Sequence, residues 1–223
     1  MKKLSIVFIS DTHNKHKQLS LLPEADVIIH CGDLTSVGKE HEVRNFLKWY
    51  SNLEQYRYKI FISGNHDWLF EKNRILARRL IPKNVIYLED SGVTIDGFNF
   101  YGSPVQKIFY DWAFNRPEEK LKQHWEAIPN DIDILITHEA PYSIKDFGYD
   151  LSHQGSPSLY YEIFNRIKPI VHTFGHYHSG YGVQEIEGIN FINASNLNDD
   201  YNCVNSPILV EIDENKSVTV ISC

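Results

Sequence analysis

Five times along the 223-residue chain, an apolar and largely β-branched run stops at a polar cluster. The runs are "LSIVFISDTH" (4–13), "DVIIHCGDL" (26–34), "KIFISGNHD" (59–67), "DILITHEAP" (133–141) and "IVHTFGHYH" (170–178). Short continuous apolar runs of this kind read as strands buried on both faces. Helical stripes lie between them: Val43, Phe46, Leu47 and Tyr50 within 41–53, and Leu159, Ile163 and Ile167 within 158–168. The stretch 67–80 is a third candidate helix. Strand alternating with helix predicts crossover connections and a largely parallel sheet.

Two later regions, 93–103 and 183–195, carry two-residue turns (Asp96-Gly97 and Glu187-Gly188) between strand-like flanks and read as hairpins. The tail forms a third, turning near Glu214-Asn215. These strands predict a second sheet packed on the first. No Pro/Gly/Ser-rich linker divides the chain, so residues 1–223 are expected to form one domain. The stretch 104–126 begins as an aromatic loop and ends as a short helix. Its Phe109, Tyr110, Trp112 and Phe114 either line a pocket or wrap the core, and packing is the favoured reading.

A formal net charge of −7 argues against a long polyanionic partner held on a basic face, and so against nucleic acid. A small phosphate ester is still admissible, because bound cations invert local charge. Cys31, Cys203 and Cys223 have no paired spacing, which fits a reducing cytoplasm better than a disulfide framework. The opening "MKKLSIVFIS" is too short in its apolar part for a signal peptide and reads as a first strand. No stretch is long and apolar enough to span a membrane.

The C-terminal ends of parallel strands are where α/β sheets build sites. Each run ends there in metal-competent groups: Asp11 and His13, then Asp33, then Asn65, His66 and Asp67, then His138, then His176 and His178. One strand-end histidine is ordinarily a hydrogen-bonded surface or core residue. Five runs ending alike are hard to assign to turns. In an extended segment the i, i+2 pair His176 and His178 would face one side and could serve one site. Imidazole, carboxylate and amide oxygen together suit manganese, iron or zinc rather than thiolate chemistry.

The ordered series D-T-H, G-D, G-N-H-D, T-H and G-H-x-H resembles the calcineurin-like metallophosphoesterase superfamily from Asp11 to His178. Longer stretches, among them "SDTHNKH", "KIFISGNHDWLFEK" and "GYGVQEIEGINFINAS", resemble its metallophosphoesterase-domain-containing phosphodiesterase group. The resemblance implies an α/β fold, a two-sheet sandwich flanked by helices in four layers, with two metal ions. Carried over by position, Asp11, His13 and His178 would hold one ion and Asn65, His138 and His176 the other. Asp33 would bridge both. Some animal members of the narrower group have glycine where this chain has His176, so the histidine favours a competent hydrolase.

The reaction implied is hydrolysis of a small phosphodiester or phosphomonoester, a cyclic nucleotide being one candidate, by hydroxide held between two cations. His66, unassigned to a metal, is the candidate general acid. Asp67 either orients His66 or caps the following helix. Trp68, Tyr142 and His153 are candidate substrate contacts. His16 and His41 are expected on polar surface, His30 and His172 in the core, and His124 on the short helix. Protein phosphatases of the superfamily carry Asp-Arg-Gly soon after G-D, whereas this chain reads "GDLTSVG" without that arginine. The reading from another class is a nucleotide-binding regulator or scaffold with little turnover, since fold alone does not fix function.

Overall fold

The computed structural model describes residues 3–19, 21–148 and 152–222. Met1 and Lys2 of the opening run, Asp150 and Leu151 of the loop before His153, and Cys223 lie outside the described residues. Each of the five apolar runs forms a strand: β1 (Leu4–Ile9), β2 (Val27–Cys31), β3 (Tyr58–Ile62), β9 (Ile134–Thr137) and β10 (Val171–Phe174). Between β3 and β9 lie β4 (Ile86–Tyr87), β5 (Ser91–Ile95), β6 (Phe98–Ser103), β7 (Gln106–Lys107) and β8 (Asn115–Arg116). After β10 come β11 (Gly182–Ile186), β12 (Ile189–Asn193), β13 (Ile208–Ile212) and β14 (Val218–Ser222). The helices are α1 (Glu40–Ser51), α2 (Trp68–Lys72), α3 (Arg74–Leu80), α4 (Glu118–Glu126) and α5 (Pro157–Glu162).

Two six-stranded sheets result, ordered β14-β13-β1-β2-β3-β4 and β11-β12-β10-β9-β6-β5. Strands β1 to β4 are parallel, and β13 pairs antiparallel with β1. In the second sheet β6, β9, β10 and β12 are parallel, flanked by antiparallel β5 and β11. Two expectations change here. The five runs divide between the sheets instead of sharing one, and the tail hairpin joins the first sheet, because β13 supplies the ladder partner that β1 lacks on its free side.

Strand alternation builds the layers. Leu4, Ile6 and Phe8 of β1, with Ile29 of β2 and Ile60 of β3, meet Phe100, Ile134, Ile136 and Ile192 between the sheets. The alternate residues Val7, Ile9, Ile28 and Phe61 turn outward onto Val43, Phe46, Leu47 and Tyr50 of α1. Leu135, Phe174 and Phe191 receive Leu121 and Trp125 of α4 and Leu159 of α5 on the far face. The order is helix, sheet, sheet, helix. Among the described residues, no helix is long and apolar enough to cross a membrane.

The single helix expected over 67–80 is two. Asn73 leaves helical geometry (φ −140°, ψ 66°), and its side chain accepts from the Leu76 N–H to cap α3. His16 also departs from expectation: it is 1% exposed, with its ring 4.8 Å from Trp49 and 5.5 Å from Phe46. Neither ring nitrogen has a hydrogen-bond partner among the described residues. His41 is exposed as expected, and His30 and His172 are core residues bonded to Thr12 and Thr137.

Burial, reinforced by Lys17, pushes the His16 imidazole down to about 4. The folded state therefore holds it neutral, while the unfolded chain takes up a proton near the ordinary histidine value of about 6.5. Its contribution is intact above that value and is lost as the pH falls from there toward about 4. Replacing it as His16→Leu should flatten the acid loss of stability by up to roughly 1.4 kcal/mol per pH unit in that window. Urea unfolding at pH 7 and pH 4.5 would read this. An unchanged slope in His16→Leu would mean that this ring is solvated in the folded protein.

Candidate metal centre

Just past β1 and β12, Ser10 and Ser195 form a bridge that joins the two sheets at the edge where the polar clusters emerge. Asp11, His13 and His178 bring ligand atoms within 4.8 Å of one another there, and so do Asp33, His138 and His176. His13, Asp33 and His66 form a third such group. Asn65 adds its Oδ1, 2.9 Å from His138 Nε2. The sequence-selected residues converge, and His176 and His178 fall into different groups.

Three of the four imidazoles in the first two groups are aimed by the backbone. Nδ1 of His13 donates to the Thr35 carbonyl at 3.2 Å, that of His138 to Cys31 at 2.9 Å, and that of His178 to Asn198 at 3.0 Å. A carbonyl only accepts, so Nδ1 carries the hydrogen and Nε2 is turned inward. His13 Nε2 is buried without a hydrogen-bond partner among the described residues. At His138, Nε2 and the Asn65 oxygen approach to 2.9 Å, with Asp33 Oδ1 3.5 Å from the same nitrogen. Lone pairs that close need a proton or a cation between them. The donor set therefore fits cations of the kind that accept mixed nitrogen and oxygen ligands.

The titration pattern has the same origin. Burial opposes charge on His138, but the Asp33 carboxylate outweighs it and raises the imidazole to about 10. Burial would raise Asp11 and Asp33 too, yet His178 and His138 hold both carboxyls well below the usual range. At His176, burial together with His138 outweighs the pull of Asp33 and Asp11 and lowers the imidazole to about 3. Asp33 and Asp11 favour the protonated forms of His138 and His178 respectively.

The loops that present these groups are strained. Asp11, His13, Asp33 and His176 have φ of 53°, 38°, 57° and 67°, a left-handed region that non-glycine residues seldom occupy. This corrects the extended reading of His176 and His178: β10 ends at Phe174, and a left-handed turn, not strand alternation, directs the pair. Two glycines give the carboxylates room. A Cβ on Gly64 would stand 2.3 Å from Asp33 Oδ1, and one on Gly175 would stand 2.1 Å from Asp11 Oδ2.

Asp67 neither orients His66 nor caps α2 with its side chain. Its buried carboxylate accepts from the backbone N–H of Gly64, Leu34 and Thr35 and from the Thr35 hydroxyl, at 2.7–3.2 Å. Asp67 thus clamps the loop after β2 to the loop after β3. Burial, with Asp33 nearby, raises its carboxyl to about 7. The His66 ring is held instead by its Nδ1, which donates to the Ser36 carbonyl at 2.6 Å. Sequence reading missed Ser36 because a backbone carbonyl leaves no residue signature.

A cavity of about 400 Å³ opens over the cluster, with His13, Asp33, Asn65, His66, His176 and His178 on its floor. Phe109, Phe147, Tyr177 and Tyr201 contribute aromatic walls. Trp68, Tyr142 and His153 are not among the lining residues. Trp68 packs at the edge of the α1 core under Lys72, and His153 is bonded to Asp146 beside Tyr142. The aromatic loop splits its roles. Phe114 and Ala113 enter the core, whereas Phe109 meets the His176 ring edge-on and Trp112 stacks on His66. His124, on α4 as expected, pairs with Asp90 at 3.0 Å.

If Asp67 is a clamp, Asp67→Ala should destabilise the metal-free protein by roughly 3 kcal/mol, because buried donors lose their acceptor. Guanidinium unfolding in chelator would measure it. An unchanged midpoint would remove the clamp role.

The sequence matches the calcineurin-like phosphoesterase family over residues 4–180. Human metallophosphoesterase domain-containing protein 1 is 36% identical over 230 residues, spanning 92% of this chain and 70% of that protein. A 3′,5′-cyclic-nucleotide phosphodiesterase of Nostoc is 24% identical over 71% of this chain and 58% of its own length. Among solved structures, GAP50, the anchor in the inner membrane complex of Plasmodium, superposes with a TM-score of 0.57 at 16% identity, over 100% of this chain and 85% of that one. That last likeness concerns the fold alone. With its two-sheet sandwich and its ordered clusters of aspartate and histidine, the chain belongs to the calcineurin-like phosphoesterase family.

Proposed function

We propose that the protein is a two-metal phosphoesterase that hydrolyses a small phosphodiester or phosphomonoester, with a cyclic nucleotide among the candidate substrates. The observation that carries this reading is the convergence of three backbone-anchored imidazoles on two buried carboxylates, with His13, Asp33 and His178 of that set lining one cavity. Asp11, His13 and His178 would hold one ion, Asn65, His138 and His176 the other, and Asp33 both. Manganese, iron and zinc suit these donors. Two such cations neutralise phosphoryl oxygens and make water nucleophilic near neutral pH.

The chain's own residues supply the rest. His66 presents Nε2 toward the cavity, 3.9 Å from Asp33 Oδ2, while Ser36 keeps hold of Nδ1–H. With protons on both ring nitrogens, it donates the one on Nε2 to the oxygen that leaves phosphorus, and the imidazole is left neutral with Nδ1–H still on Ser36. Phe109 and Phe147 offer apolar surface to the organic part of the ester and shield it from water. The family supports phosphoester chemistry, and the name of the Nostoc relative supports a cyclic nucleotide as a first substrate to try. The net charge of −7 speaks against nucleic acid as substrate. Cys31 and Cys203, both free thiols, are compatible with a reducing cytoplasm.

Protein loaded with manganese should hydrolyse at least one of bis-p-nitrophenyl phosphate, p-nitrophenyl phosphate and the cyclic nucleotides. A metal-loaded protein silent on all of them would favour the regulator or scaffold reading. Asp33→Asn should lose metal and several orders of magnitude in kcat, since both ions lose a shared ligand. His66→Ala should keep its metal yet slow esters with poor leaving groups by roughly 10²–10⁴-fold. Loss of metal from His66→Ala would reassign His66 as a ligand, in line with its membership of the third ligand group.

A further inference from the structure

Trp112 is a partly buried indole that belongs to none of the three apolar clusters among the described residues. Its neighbours on either side in the chain point elsewhere, Asp111 to solvent and Ala113 to the core. Its own ring lies on the face of the His66 imidazole, with centroids 4.0 Å apart and planes inclined by 28°. The edge of the same imidazole meets His13 at 4.6 Å and 84°. Trp112 does not line the cavity, so it is not placed to touch a substrate bound there.

His66 needs such a neighbour. Its one ring hydrogen bond among the described residues, from Nδ1 to Ser36, fixes a point and leaves the ring free to swing about it. A flat indole against its face and a second imidazole set perpendicular to it at 4.6 Å restrict that swing. The loop that carries the indole is itself anchored to the catalytic loops. The Ala113 N–H donates to the Asn65 carbonyl at 3.1 Å, and the Phe114 N–H to Glu71 at 3.0 Å. At the other end, the Lys107 N–H donates to buried Glu139, which follows His138, at 2.7 Å. Asn115 staples the loop from within, through the Phe109 N–H and the Tyr110 carbonyl.

We infer that Trp112 is a positioning residue for His66, holding Nε2 in line with the oxygen that leaves phosphorus. The inference rests on the role proposed above for His66. As the P–O bond breaks, that oxygen takes the proton from Nε2, and a misaimed ring costs most where the leaving group cannot depart without it. A displacement of about 1 Å can cost on the order of 10²-fold.

The test compares methyl 4-nitrophenyl phosphate with methyl phenyl phosphate, two diesters that differ in leaving group, using the full chain loaded with manganese. Trp112→Ala should keep its manganese and its KM, and lower kcat by about 10–100-fold for the phenyl ester. The loss for the 4-nitrophenyl ester should be much smaller. Trp112→Phe should restore most of the difference, and Trp112→Ala combined with His66→Ala should be no slower than His66→Ala alone. Equal slowing of both esters, a rise in KM alone, loss of manganese, or additive single losses would overturn the assignment. A second readout does not need turnover. In nitrogen-15 imidazole spectra, His66 should give one sharp set of ring signals in the unaltered protein and in Trp112→Phe, and broadened or doubled signals in Trp112→Ala, while Ser36 keeps its Nδ1–H tautomer. Were the protein silent on both esters and on every substrate named under the proposed function, the phosphoesterase reading would fail, and these spectra would still decide whether Trp112 orients His66.

Discussion

Two carboxylates, Asp11 and Asp33, are sunk at the junction of the sheets with 0% and 2% exposure. Buried ions of this kind cost several kcal/mol each unless they are paired. Among the described residues, their ion-pair partners are imidazoles: His178 for Asp11, and His13, His66 and His138 for Asp33. Those rings can face inward only because backbone carbonyls at Thr35, Ser36, Cys31 and Asn198 hold their outer nitrogens. The left-handed turns and the missing side chains at Gly64 and Gly175 follow from the same demand. The loops are shaped around charge that the core cannot solvate.

The fold was legible where period and length leave little choice. Val7 and Ile9 against Ile6 and Phe8, alternating along β1, already define two apolar faces and so a covered sheet. The primed turn at Asp96-Gly97, with φ of 50° and 92°, is written in the dipeptide. Which strands share a sheet is not written locally. β9 and β10 carry the same apolar signature as β2 and β3, and pairing across many residues of sequence separates them. Asn73 shows a smaller failure: the apolar pattern runs through it, while its capping side chain ends one helix and starts the next.

The same division holds at the site. Ligand-type residues announce themselves by chemistry and by their place after a strand. The groups that aim them do not. Asp67 looked catalytic because it follows His66, yet its carboxylate points back to the neighbouring loop. His16 reads as a polar-surface residue, yet it lies against Phe46 and Trp49. Trp112, one of four aromatics in its loop, gains its meaning only when the fold sets it on an imidazole far away in sequence. Charge and spacing identify donors; packing decides who steers them.

The bridge from Ser10 to Ser195 has a further consequence. Asp11, His13, Asp33 and Asn65 follow strands of one sheet, and His138, His176 and His178 follow strands of the other. The proposed centre therefore straddles a seam, and neither half carries all of the candidate donors. Whatever slides one sheet along the other by a single residue would tear the constellation apart without unfolding either half. Assembly of the chemistry and docking of the two halves are one event, so a partly folded chain with only one sheet formed has no working fragment of this centre.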